Sequence, residues 1–174
     1  EGQYDHNSYA AFQLLNRTLS YTVDLSGAGC GCNVAMYLVS MKQNHTLSTC
    51  NDYYCDADSN SVCGVACSEV DIQEANVHAW HSTLHASWDK DGAAAGFGGG
   101  SGWNGPRDFQ AGDYGPNSGC INTLNPFQVY ASFHIDGASQ LIAMTVHLEQ
   151  AACGRPVVAK VENYWGNSAL TAEL

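Results

Sequence analysis

With 174 residues and 45% hydrophobic content, the chain is long enough to bury one core and too short for two, so a single domain over residues 1–174 is expected. Seventeen acidic residues against six Lys and Arg give a formal charge of -11 with no basic stripe, which removes the electrostatic basis for a nucleic acid or an anionic membrane surface as partner. No run of about twenty apolar residues occurs, so no segment reads as a membrane-spanning helix.

The chain opens on Glu1 with no signal-peptide pattern, as expected of a processed mature protein or a piece of a longer one. Residues 19–25 alternate apolar and polar at period two, which predicts a half-buried strand. Glycines between 27 and 31 break it, and residues 34–41, rich in β-branched and aromatic types, predict a second strand. Residues 50–67 are poor in large apolar side chains and rich in Asp, Asn, Ser and Cys, the composition of a loop held by covalent links. Residues 69–76 predict a further strand. Residues 93–105 read as a Gly-rich loop without the Lys-Ser/Thr ending of a phosphate cradle, and no cofactor is implied. Residues 127–135, 141–148 and 156–161 predict three strands, the first two joined by a turn at Asp136-Gly137. Many short strands with few helical periods predict an all-β sandwich or jelly roll.

Eight cysteines in a chain of this size suit an oxidising, extracellular compartment. Their spacings, C-x-C, C-x4-C and C-x3-C, lack the paired C-x-x-C knuckles of a zinc cluster. Two sequons, Asn16-Arg-Thr18 and Asn44-His-Thr46, agree with a secreted glycoprotein.

The chemistry concentrates in Glu69-Val-Asp-Ile-Gln-Glu-Ala-Asn76. On a strand, Glu69 and Asp71 share one face while Val70 and Ile72 point into a core. Glu74 has odd parity from Glu69 and faces away unless an extra residue is inserted as a β-bulge. With that bulge the two glutamates lie roughly 13 to 16 Å apart at Cα, and their side chains can converge on about 5.5 Å, the carboxylate separation of a retaining glycosidase. Asp71 between them raises the affinity of the cluster for protons by like-charge repulsion. The spacing alone also fits an acidic solvent face on an ordinary strand. His78, His81 and His85, with Asp89 beyond, would share one side of a helix; since a strand running into a loop is expected there, no metal site is assigned, and these are surface or sugar-contacting histidines.

The acidic stretch resembles the signature Glu-x-Asp-x-x-Glu-Ala-Asn of glycoside hydrolase family 7, the fungal-type cellobiohydrolases and endoglucanases. Cys30-Gly-Cys-Asn33-Val-Ala-Met-Tyr37 is similar to that family's Cys-Gly-x-Asn-x-Ala-Leu-Tyr loop and strand, Tyr54-Cys55-Asp56 to its Tyr-Cys-Asp loop, and His85 stands where the family keeps a histidine. Trp103-Asn104, Arg107 and Tyr114-Gly115-Pro116 resemble a Trp-Asn, Arg and Tyr-Gly-Pro series, and residues 157–165 resemble a late strand ending in a sugar-stacking tryptophan. The likeness runs from about Gln13 to Trp165.

This resemblance implies a concanavalin-like jelly roll and an endo-acting, retaining hydrolase of β-linked glucan. It makes Glu69 the nucleophile, Glu74 the acid and then base, Asp71 the tuner of the nucleophile, and His85 a hydrogen-bond partner near the acid or a sugar hydroxyl. Asn33, Tyr37, Asp56, Arg107 and Trp165 become sugar contacts. Ser59 and Ala66 stand where the family has cysteines, and their joint loss implies one deleted bridge and a Cys55–Cys67 disulfide. Family members are usually more than twice as long. The strands missing by comparison predict sheet edges covered by another protein chain or by further copies of this one. Two other classes share the fold: a non-catalytic structural subunit of an extracellular assembly, and a lectin-like glycan binder.

Overall fold

The computed structural model of the chain describes residues 5, 8–58 and 63–174. Glu1 and Ser59 lie outside the described residues.

Two four-stranded antiparallel sheets face each other across one core. The first has the order β1-β8-β9-β10, with β1 over Thr18–Val23, β8 over Phe127–Ile135, β9 over Leu141–Glu149 and β10 over Val157–Glu162. The second has the order β2-β3-β4-β5, with β2 over Val34–Val39, β3 over Glu69–Asn76, β4 over Ala79–His85 and β5 over Ala93–Phe97. A short parallel pair, β6 at Tyr114–Gly115 and β7 at Ile121–Asn122, and a helix α1 over Asn167–Glu173 complete the described elements, with one 3-10 turn at Gly100–Gly102. This is the disulfide-stabilised all-β sandwich that the strand pattern predicts.

The alternation in β8 buries Phe127, Val129, Ala131 and Phe133, and β9 and β10 add Leu141, Val146, Leu148, Val157 and Ala159. Facing them from the second sheet are Val70, Ile72, Trp80 and Leu84. Trp80 is fully buried and spans the layers, its ring 6.0 Å from Phe127 and 6.3 Å from Tyr114. An aromatic cluster of this kind supplies much of the apolar area that holds two sheets together.

The bulge expected in β3 is present. Asp71 pairs with Thr83 and Glu74 with His81, so Ile72 and Gln73 together oppose the single residue Ser82; the pairing with β2 slips at the same place. An inserted residue frees ladder groups that must find other partners. Ser82, fully buried, donates from Oγ to the Ile72 carbonyl at 2.7 Å and accepts from Trp80 Nε1 at 3.0 Å. Gln73 turns inward, donating to the Val34 carbonyl at 3.0 Å and accepting from the Tyr21 hydroxyl at 3.2 Å. Ser82→Ala strands two buried polar groups at once, so we expect a loss of about 2 to 4 kcal/mol, read as a fall in the denaturation midpoint.

Residues 93–97 are strand, contrary to the loop reading of residues 93–105. The run Ala-Ala-Ala-Gly-Phe lacks β-branched side chains, yet β4 needs a small-residue neighbour: opposite His81, Gly96 has φ 138°, and a Cβ there would collide with the Trp80 carbonyl. Asp136 does organise the β8–β9 hairpin, accepting the N–H groups of Ala138 and Gln140, but the left-handed residue is Ser139 and the loop is longer than the two-residue turn expected.

Disulfides join Cys50 to Cys63, Cys55 to Cys67 and Cys120 to Cys153, while Cys30 and Cys32 are exposed free thiols. The first two staple the polar stretch before β3 that has little core of its own. Asn16 is exposed in a left-handed turn. The Asn44 amide donates to the carbonyls of Tyr53 and Thr46, so a glycan there would leave one N–H for two acceptors.

Candidate active site

The register defines the face that matters. Glu69, Asp71 and Glu74 stand opposite His85, Thr83 and His81 on β4, and opposite Val39, Tyr37 and Ala35 on β2. Directly paired residues of antiparallel strands project to the same side, and positions 81, 83 and 85 share one parity. The slip at Ile72 and Gln73 therefore puts all three carboxylates on one face while Val70, Ile72 and Gln73 stay buried.

Asp71 is the buried centre of this strip. His85 Nε2 lies 3.1 Å from Asp71 Oδ2, and its Nδ1 lies 3.1 Å from the Asp89 carbonyl oxygen. A carbonyl only accepts, so Nδ1 carries a proton, and Nε2 is the ring atom that faces the Asp71 carboxyl group. Burial lowers the His85 pKa, but the bonds to Asp71 and Asp89 and the charges of Asp71 and Glu69 outweigh that, and the net shift is upward. The resemblance places His85 near the acid or a sugar hydroxyl. His85 faces Glu69 across the ladder and binds Asp71, because strand pairing sets it at the far end from Glu74.

His85 is itself bracketed. Asp89 accepts from the Tyr164 hydroxyl at 2.9 Å and from Gly92 N at 3.1 Å, and Tyr164 Oη accepts from Ala86 N at 2.8 Å. Gly92, at φ 62°, passes so close that a Cβ would lie 2.5 Å from His85 Nδ1.

The two glutamates differ in what stabilises their charge. Glu69 Oε2 accepts from Ala57 N at 3.0 Å; burial, then the Asp71 charge, push its pKa up to about 7 against that bond. Glu74 is raised by burial and then by Asp71, opposed by Asn33, whose Nδ2 donates to Oε1 at 3.0 Å. Asn33, a sugar contact by resemblance, thus donates to Glu74. Clustered carboxylates with elevated pKa values in a polar face are the usual material of general acid–base and nucleophilic catalysis.

Tyr37, opposite Asp71, reaches the Tyr54 hydroxyl at 3.1 Å, and Tyr54 donates to Asp56 Oδ2 at 2.6 Å, so Tyr54, which the sequence marks only as part of a loop motif, links Tyr37 to Asp56. Arg107 donates to the carbonyls of Gly98 and Trp103 at 2.6 and 3.3 Å. Arg107, a sugar contact by resemblance, thereby fastens the glycine loop, beside Phe97 at 6.0 Å. At the Glu74 end His81 stacks on Trp103 at 3.6 Å, and its pKa is lowered by burial, with Arg107 adding to the effect. At the Glu69 end the exposed Trp165 stacks on Trp88 at 3.9 Å. Trp88 was not singled out from the sequence, although a tryptophan in the polar run Ser87-Trp88-Asp89-Lys90 is a visible anomaly. An apolar cavity of about 320 Å³ lies elsewhere, between Phe12, Met41 and Leu170, and none of Glu69, Asp71, Glu74 or His85 lines it.

The family model described as glycosyl hydrolase family 7 matches residues 3–60. A probable endo-β-1,4-glucanase of Aspergillus flavus is 31% identical over 158 residues, covering 74% of this chain and 38% of that protein. Endoglucanase EG-1 of Hypocrea jecorina is 29% identical over 163 residues, covering 82% of this chain and 34% of that protein. The chain is a partial member of glycosyl hydrolase family 7. A family 7 cellobiohydrolase from Daphnia pulex has the same fold, with a TM-score of 0.65 at 21% identity over 91% of this chain and 47% of that one. An endoglucanase I complexed with cellobiose gives 0.63 at 22% identity, over 91% of this chain and 50% of the other. This family 7 chain thus spans about a third to a half of the length of the proteins named above, and the matched family segment ends before Glu69.

Proposed function

We propose that this chain, as one domain, hydrolyses internal bonds of an extracellular β-1,4-glucan by double displacement. The observation that carries the reading is the register slip in β3, which sets Glu69 and Glu74 on one face around the buried Asp71–His85 pair. Glu69 attacks the anomeric carbon and forms a glycosyl ester while Glu74 protonates the departing oxygen. Glu74, now a carboxylate, takes a proton from water; the water oxygen bonds to the anomeric carbon and Glu69 leaves. Asp71, held by His85, raises the basicity of Glu69 and so its nucleophilicity. The endoglucanase names of the relatives support the substrate class, and three disulfides support secretion.

Burial and Asp71 favour a proton on Glu69, the group that must be bare to attack, so the reactive form is one of two ways of placing a single proton on the pair. The expected kcat/KM profile is a bell whose acid limb rises toward pH about 7 as Glu69 ionises and whose alkaline limb reports loss of the shared proton.

The decisive experiment is incubation with carboxymethyl cellulose and mixed-linkage glucan. New reducing ends, a rapid fall in viscosity and a first-formed product of retained anomeric configuration are expected. Binding without new reducing ends would replace hydrolysis by glycan binding, and an inverted product would remove the covalent role of Glu69.

A further inference from the structure

Trp88 and Trp165 are 53% and 72% exposed, and their rings stack with centroids 3.9 Å apart at 32°. Two large indoles left to solvent side by side are a costly surface unless something covers them. Each comes from a short connection: Trp88 from the turn after β4, Trp165 from the link between β10 and α1. The buried Tyr164 meets Trp165 edge-on at 6.0 Å and, through Asp89, is hydrogen-bonded to the segment that holds His85. His85 faces Glu69, and Trp88 follows it by three residues. The pair is therefore tied, through Tyr164 and Asp89, to the strand end that faces Glu69.

We infer that Trp88 is a specificity-determining residue, which backs one face of Trp165 so that the other is presented, already oriented, to a glucosyl ring on the Glu69 side of the cleft. It rests on the hydrolase reading above and extends it to a preference for glucan segments long enough to reach past Glu69. The apolar C–H face of a β-glucosyl unit stacks on an indole much as another ring does. Without Trp88 the Trp165 side chain would lose its stacked neighbour, and binding would carry the entropy of immobilising it. Stacking of this kind predicts about a three- to tenfold effect.

The test compares kcat/KM for cellohexaose with kcat/KM for an aryl cellobioside in the wild-type chain, Trp88→Ala and Trp88→Phe. Trp88→Ala should lower the cellohexaose-to-cellobioside ratio about three- to tenfold, chiefly through KM, with Trp88→Phe recovering at least half of the loss. A ratio unmoved in both variants, or equal losses on both substrates, overturns the assignment. Calorimetric titration with cellohexaose separates this from the parent reading. Weaker binding by Trp88→Ala in a chain that hydrolyses nothing keeps the platform and discards the enzyme, whereas equal affinities, or no binding by the wild type, discard the platform.

Discussion

Glu69→Gln should abolish hydrolysis, with kcat falling by about 10⁴-fold or more, while the glucan is still bound. The amide is nearly isosteric, and its carbonyl oxygen can still accept the Ala57 N–H that now reaches Oε2 at 3.0 Å, so the loss reports the missing nucleophile and not a collapsed site. Reducing-end release measures the first half, and affinity electrophoresis in a gel containing the glucan measures the second. Glu69→Ala with added azide refines the assignment. Azide attacking an aryl glucoside in the vacated space displaces the phenolate and gives a glycosyl azide of inverted configuration, whereas the same treatment of Glu74→Ala gives one of retained configuration. The opposite pattern would exchange the two roles.

The second large effect is on stability. His85→Ala removes the cation from a buried carboxylate that the structure surrounds with two further acids, and breaking such a pair costs about 3 to 5 kcal/mol because the remaining charge has no compensation. Its pH dependence identifies the cause. The folded-state pKa of His85 is raised, so its contribution is complete below the usual 6.5 and fades as pH climbs through the raised value. The deficit of the variant is therefore largest at low pH and shrinks as pH rises. Thermal midpoints of wild type and variant between pH 4 and 8 should lie furthest apart at the acid end and converge as pH rises; a constant gap would mean lost packing alone. Glu69 has the same sign, its burial costing stability progressively as pH rises from 4.5 to about 7. Stability thus peaks on the acid side of the range in which the nucleophile ionises, as expected where a site is kept reactive at the expense of the fold. Gly92→Ala reaches the same imidazole from outside and should resemble His85→Ala more than an ordinary loop substitution.

Most of the sandwich is legible in the sequence because most of it obeys period two. Residues 127–135 alternate so regularly that strand bounds and buried set follow directly, and the structure places β8 on those residues. The loop reading of residues 93–97 failed because propensity says nothing about what a neighbour demands: β5 is built of alanine and glycine to lie close against β4. The bulge was legible as a necessity, since Glu74 has the wrong parity, but what secures it was not. Ser82 and Gln73 look like incidental polar residues until the orphaned Ile72 carbonyl is known. In the site, the acidic trio could be read from spacing and resemblance. The partners could not: Asn33 on Glu74, His85 on Asp71 and Arg107 on the glycine loop all depend on loop paths that no local pattern encodes.

The slip at Ile72 and Gln73 makes the strand a binary counter. Straightening β3 at its full length would toggle every side chain on its far half, turning Glu74 toward Trp80 and its apolar surroundings and Ala75 toward solvent, whereas deleting Ile72 or Gln73 would restore ordinary alternation with Glu74 still opposite His81. A single-codon loss here would therefore keep the three carboxylates on one face and act through the buried contacts of the removed residue, whereas loss of the polar contacts that hold the slip would turn Glu74 inward.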